Sequence, residues 1–248
     1  MIKDYTPARD LLAGRVILVT GAGAGIGRQA SLSFAEHGAT VVLLGRTEKR
    51  LEAVYDEIEQ RGGPQPALFP MDLARTTTED LQRFAAALDK EFGRLDGLLH
   101  NAAELGLLTP LARYPDPVWD KLMQVNLHAP FRLTRACLDL LSRSPGASVI
   151  FTTSKVARQG RAYWGAYGIA GAAVENMMRI WADELESTNI RVNSLDPGPV
   201  RTAMRAIAFP GEVPESRPEP AAVMPAYLYL MGPDSRGVTG QAFSAQDG

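Results

Sequence analysis

Val16-Ile17-Leu18-Val19-Thr20-Gly21-Ala22-Gly23-Ala24-Gly25-Ile26-Gly27 decides how the whole chain is read. Its first five residues are rich in Val, Ile and Leu, the composition of a strand buried on both faces of a parallel sheet. Thr20 and a run of glycines follow, and the next stretch, RQASLSFAEHGA, is amphipathic at helical spacing. The order is strand, glycine turn, helix. The spacing Gly21-x-x-x-Gly25-x-Gly27 supplies a tight turn and lets backbone approach a pyrophosphate. Free N–H groups and a helix N-terminus then point at the anion. Many βα turns are glycine-rich for packing alone, so the ends of the other strands must arbitrate.

A chain of 248 residues holds one α/β domain with a large core. Hydrophobic residues make up 46% and charged ones 22%, the balance of a soluble globular protein. With a net charge of −2, bulk electrostatics favours neither nucleic acid nor an anionic membrane as partner. The single cysteine, Cys137, excludes an internal disulfide and fits a reducing compartment; it is expected as a packed core or interface residue. The N-terminal MIKDYTPARDLLAG lacks the apolar stretch of a signal peptide, and no apolar run approaches membrane-span length. The expected location is the cytoplasm.

Further strands are expected at Thr40 to Leu44, Pro66 to Pro70, Leu95 to Asn101, Ser148 to Thr152, Ile190 to Leu195 and near Gln241 to Ser244. Helices are expected between them. One follows Arg46, one runs from Thr78 (a plausible N-cap) to Phe92, and two long ones cover Val118 to Leu141 and Ala162 to Ser187. A short one lies near Ala221 to Met231. Residues 204–220 are rich in Pro, Glu and Arg with little periodicity and read as a surface loop or lid that shapes a substrate pocket. No repeat or linker divides residues 1–248. The expected fold is a single-domain, Rossmann-type, doubly wound parallel sheet of about seven strands with helices on both faces.

In such sheets ligands bind beyond the carboxyl ends of the strands. Strand two is followed by Arg46, with no acidic residue at 44–46; an arginine there suits a 2′-phosphate, or is a solvated residue at a helix start. Strand three leads to Asp72, an acceptor for an adenine amino group or a plain turn aspartate. Strand four ends in Asn101-Ala102-Ala103, small enough for close approach to a ribose. Strand five delivers Ser154. Strand six delivers Asp196-Pro197-Gly198-Pro199-Val200-Arg201-Thr202, a rigid turn able to wall off a ring and bond a carboxamide.

In order and spacing, Thr20 to Gly27, Asp72-Leu73, Asn101-Ala102, Asn126 between Val and Leu, Ser154, Tyr167 thirteen residues later and Pro197-Gly198 resemble the short-chain dehydrogenase/reductase family over almost the whole length. GRAYWGAYG and RTAMRAIAFPGE resemble a bacterial branch of oxidoreductases within it. The resemblance implies a catalytic set of Asn126, Ser154 and Tyr167. Ser154 would hydrogen-bond a substrate carbonyl, and Tyr167 would pass the proton as hydride moves. It implies cofactor contacts from Thr20, Gly21, Gly25, Ile26, Gly27, Arg46, Asp72, Leu73, Asn101, Ala102, Tyr167, Pro197, Gly198 and Thr202, with NADP(H) preferred over NAD(H). A small-molecule carbonyl or alcohol is the implied substrate, and a homodimer or homotetramer the implied assembly.

One departure matters. The family carries Tyr-x-x-x-Lys, and this chain reads Tyr167-Gly168-Ile169-Ala170-Gly171. Position 171 lies one helical turn after the tyrosine on the same face. A cation at ~4 Å is worth up to roughly 4 kcal/mol at an effective dielectric of about 20, or about 3 pKa units on a tyrosine. Glycine supplies no such charge and no donor to a ribose. Lys155, Arg158 and Arg161 are read as surface charge, since Lys155 next to Ser154 on an extended chain would point the opposite way. His100, where the resemblance has Asn, is read as a packed strand residue. No His, Cys and carboxylate grouping suggests a metal. Three functions follow: an NADP(H)-dependent oxidoreductase impaired at one position, a dinucleotide-binding paralogue without catalysis (a sensor or partner subunit), or a retained scaffold that binds without dinucleotide.

Overall fold

Seven short strands pair in one parallel sheet: β1 (Val16–Thr20), β2 (Thr40–Gly45), β3 (Ala67–Pro70), β4 (Gly97–His100), β5 (Ala147–Thr152), β6 (Ile190–Asp196) and β7 (Ala242–Ser244). Their spatial order is β3-β2-β1-β4-β5-β6-β7. The order reverses between β1 and β4, where Ile17 pairs with Gly97. That switch opens a crevice at the carboxyl ends of the strands. The structure is a computed structural model and describes residues 2–246, so the outer limits of the expected single unit, 1 and 247–248, lie outside it.

Alternation along the strands feeds two cores, because successive side chains leave opposite faces. Ile17, Val19, Val41 and Leu43 pack with α1 (Gly25–Glu36), α2 (Glu48–Gln60) and residues 224–231 on one face. Leu18, Val42 and Leu44 pack on the other, against α3 (Thr78–Phe92) and residues of two longer helical stretches. The expected seven-stranded, doubly wound fold is what forms. Cys137 and His100 are buried, the latter bonded to Thr134 Oγ1 at 2.8 Å and stacked on Phe151.

Element ends differ from the sequence expectation for local reasons. Thr77, not Thr78, caps α3: its hydroxyl accepts from Asp80 N–H, and the Asp80 carboxylate accepts from Thr77 N–H. The helix expected over Val118 to Leu141 is α4 (Asp116–Met123), a π turn (Gln124–His128) and α5 (Ala129–Ser142). A π turn inserts a residue into the helical ladder and re-aims the side chains within it. After Ser154 the chain is not extended: α6 (Lys155–Arg158) starts at once, and α7 (Gly165–Glu184) follows. Within 204–220 a short helix, α8 (Ala203–Ala208), forms on its Thr202 cap. The last helix, α9 (Met224–Met231), begins after a 3₁₀ turn.

Candidate active site

The glycine turn sets the geometry at the head of β1. Gly21 (φ 69°) and Gly25 (φ 53°) lie in the left-handed region, where glycine is unstrained. A Cβ at Gly27 would land on the Gly21 carbonyl oxygen and the Asn101 amide. Position 27 is therefore closed to any side chain. Ala24 at the N-cap of α1 makes no side-chain cap bond, leaving the first N–H groups facing the crevice unclaimed by a cap. This is a fit for a pyrophosphate. Thr20 lies beneath: its Oγ1 accepts from Asn101 N–H at 3.0 Å and Ala102 N–H at 3.1 Å, locking β1 to the end of β4.

One cavity of about 1070 Å³ runs from this turn across the strand ends. It is lined by Gly21, Gly25, Ile26, Arg46, Asp72, Leu73, Asn101, Ala102, Ser154, Tyr167, Pro197, Gly198 and Thr202. Thr20, Gly27 and Asn126 do not line it; the first two support it from below. The π turn aims Asn126 elsewhere: its amide donates to Glu104 C=O and accepts from Glu104 N–H, both at 2.8 Å. Both polar ends of Asn126 are thus spent on one residue of the loop after β4.

Ser154 and Tyr167 meet. Ser154 is the N-cap of α6, two residues after β5, Tyr167 lies in the first turn of α7, and the Ser154 side chain reaches the phenol closely enough to favour its ionised form. Burial holds the Tyr167 phenol above its ordinary value, nearby Asp196 adds to this, and the Ser154 side chain opposes it. Asp196 is raised in turn by burial, against the pull of Gly198 N–H at 2.8 Å and of Arg158 and Lys155. One turn beyond Tyr167, a Cβ on Gly171 would stand 2.8 Å from Ala157 Cβ. Helix α6 packs into that face of α7. Arg158 completes the docking: Nε and Nη2 bond Glu175 Oε1 at 3.1 and 3.0 Å. Glu175 is buried and also accepts from Thr153 and Ser194 hydroxyls at 2.8 and 2.9 Å.

At the other end Arg46 Nη1 pairs with Glu104 at 2.6 Å, and Lys121 meets the same oxygen at 3.2 Å. Asp72 accepts from Ala74 N–H at 3.1 Å and faces the cavity. Sequence reasoning missed Arg50, a cavity residue whose Cβ would sit 2.9 Å from one on Gly23. Its place four residues after Arg46, at the start of α2, was a usable signal. It missed Gln246, which donates to Pro197 C=O at 2.7 Å from the far end of the chain, where no local signal exists. It read Lys155, Arg158 and Arg161 as surface charge by default; all three line the cavity.

The sequence profile of the short chain dehydrogenase family matches residues 15–212. The chain belongs to that family. It is 50% identical over 244 residues to the uncharacterized oxidoreductase YciK of Escherichia coli (strain K12), covering 98% of this chain and 96% of that one. The fold superposes on a short chain dehydrogenase of Pseudomonas syringae with a TM-score of 0.97 at 53% identity, covering 98% of this chain and 99% of that one. A short chain dehydrogenase of Shigella flexneri 2a, solved as a complex with NADP, matches with a TM-score of 0.95 at 49% identity, over 97% of this chain and 100% of that one. Among the described residues no helix is long and apolar enough to cross a membrane.

Proposed function

We propose that the protein is an NADP(H)-dependent oxidoreductase that interconverts a small carbonyl and its alcohol. The observation that carries this reading is one cavity lined by both the glycine cradle and the adjoining Ser154 and Tyr167. The cofactor, when bound, supplies the hydride to the carbonyl carbon. The chain's own groups do the rest. The glycine turn and the N-terminus of α1 hold the pyrophosphate, with Asp72 toward the adenine. Arg46, with Arg50 beside it, meets the 2′-phosphate, which competes with Glu104 for the Arg46 guanidinium. The Pro197–Gly198 turn, braced by Gln246, and Thr202 face the nicotinamide end. Ser154 holds the carbonyl oxygen by a hydrogen bond. Tyr167 Oη gives its proton to that oxygen, and burial keeps the proton in place through neutral pH.

Family members of this kind use a lysine four residues after the tyrosine; here Gly171 occupies that place. Its charge would have lowered the Tyr167 pKa, and its donors would have held the ribose, a charge-assisted contribution of about 1.5–3 kcal/mol. Both are missing, so turnover is slowed. One observation favours the second reading, dinucleotide binding without turnover: Ala157 occupies the space where a side chain at 171 would begin. Exposed Phe131, Ile169 and Ile180 on α5 and α7 support assembly as a homodimer or homotetramer through those helices.

The test is NADPH oxidation over a carbonyl and quinone panel, with NADPH and NADH titrations alongside. The reading expects slow turnover, abolished in Tyr167→Phe, tighter binding of NADPH than NADH, and no loss of rate from tyrosine ionisation below pH ~10. Tight NADPH binding with no oxidation of any carbonyl decides for the binding protein.

A further inference from the structure

Six cations line the cavity, and their pairing is uneven. Arg46 pairs with Glu104, Arg158 with Glu175, and Arg205 with Glu212 through two bonds of 2.6 and 2.7 Å. Arg50, Lys155 and Arg161 have no carboxylate in ion-pair contact among the described residues. Arg50 stands at the end where an anionic 2′-phosphate is expected. Lys155 and Arg161 stand at the opposite end, on the segment that begins with Ser154. This is a chain with a net charge of −2, and three of the six cavity cations already have glutamate partners. Lys155, which feels the cavity carboxylate of Asp196 without pairing to it, and Arg161 are exposed and hold no ion pair among the described residues, so both are free to take an anion from outside.

The wall next to them is aromatic. Trp164 lies 5.8 Å from Tyr167 and 5.8 Å from Phe209, ring centre to ring centre. Arg205 lies over the Phe209 ring at 3.6 Å and is itself held by its pair with Glu212. Tyr163, between Arg161 and Trp164, is held at φ 73°, a conformation a bulky residue seldom adopts. Strain of this kind persists where surrounding contacts over-determine it, and it clusters at ligand-binding segments. The next residue, Trp164, lines the cavity.

We infer that the substrate is an acidic carbonyl compound: an apolar or aromatic body covered by Trp164 and Phe209, and a carboxylate or phosphate bound by Arg161 with Lys155. The inference rests on the oxidoreductase reading, and it is tested separately from turnover. Benzoate, phenyl phosphate and neutral benzamide, none of them reducible here, are titrated into the full-length protein with and without NADPH by calorimetry. At least one anion should bind about tenfold more tightly than benzamide, and the preference should shrink as salt screens the charges. Which of the two anions binds tells carboxylate from phosphate. Arg161→Gln and Lys155→Gln should erase the preference, Arg161→Lys should retain part of it, and NADPH affinity should hold as the check on folding. Equal binding of anion and amide overturns the inference, as does a preference that survives both glutamine variants. In parallel, 4-formylbenzoate and benzaldehyde are compared as substrates. Anion preference without any NADPH oxidation supports the anion site and counts against the reductase.

Discussion

Gly171 has no side chain, and Ala157 of the neighbouring helix stands against it. A Cβ there would stand 2.8 Å from Ala157 Cβ, closer than side-chain carbons pack, so α6 would have to shift. Two magnitudes compete. Any ordinary side chain gains about 1 kcal/mol over glycine in a helix interior, while overpacking a filled space costs typically about 1–3 kcal/mol. Gly171→Lys should therefore lower the unfolding free energy, measured by urea denaturation, by up to about 2 kcal/mol net of these effects. Ala157→Gly in the same chain should recover it, with a coupling of about 0.5–3 kcal/mol in the double-mutant cycle. If Gly171→Lys alone is fully stable, α6 does not press on this position. The motif at 167–171 was legible in the sequence. That Ala157 answers it was not, because the contact joins residues fourteen apart through a helix whose start after Ser154 no periodicity announced.

At the scale of elements, α6 is four residues long and cannot hold itself. Its docking depends on Glu175, buried on α7 among Arg158 and the Thr153 and Ser194 hydroxyls. Removing one partner of a buried pair costs about 3–5 kcal/mol because the remainder is left unpaired. Glu175→Ala should approach that loss in a denaturation curve and speed amide exchange over residues 154–158; Glu175→Gln, which keeps an acceptor, should lose less. Exchange unchanged at 154–158 would mean that the segment is held by other contacts. The spacing Tyr167, Gly171, Glu175 marks one helix face in the sequence alone, yet a glutamate on an apolar face has no assigned partner until β6 and α6 are folded against it. Similarly, the sequence places Asn126 on a helix, but only the π turn decides that its amide spends both bonds on Glu104.

For the whole molecule, acid stability should carry the mark of His100. Burial lowers its pKa from 6.5 to about 3, so the imidazole stays neutral in the fold and takes up a proton only on unfolding. A lowered folded value means stability is complete above pH 6.5 and falls as pH drops from there toward about 3. The slope reaches at most about 1.4 kcal/mol per pH unit from this one group. His100→Asn should flatten the stability curve between pH 6.5 and 4, measured by thermal melts; an unchanged slope would place the acid sensitivity elsewhere.

The sequence by itself determined the sheet, its parallel order and the family, because strand composition, glycine spacing and the order of the motifs are local or periodic signals. It also placed Ser154 and the Pro197–Gly198 turn at strand ends, where a doubly wound sheet opens its crevice, and Tyr167 on the helix that follows. Only the tertiary structure decided which charges there are spent. Arg46, Arg158 and Arg205 find carboxylates on other segments, while Lys155 and Arg161 stay unpaired at the cavity wall. Pairing of that kind depends on distances between residues far apart in the chain, which no pattern along the sequence records.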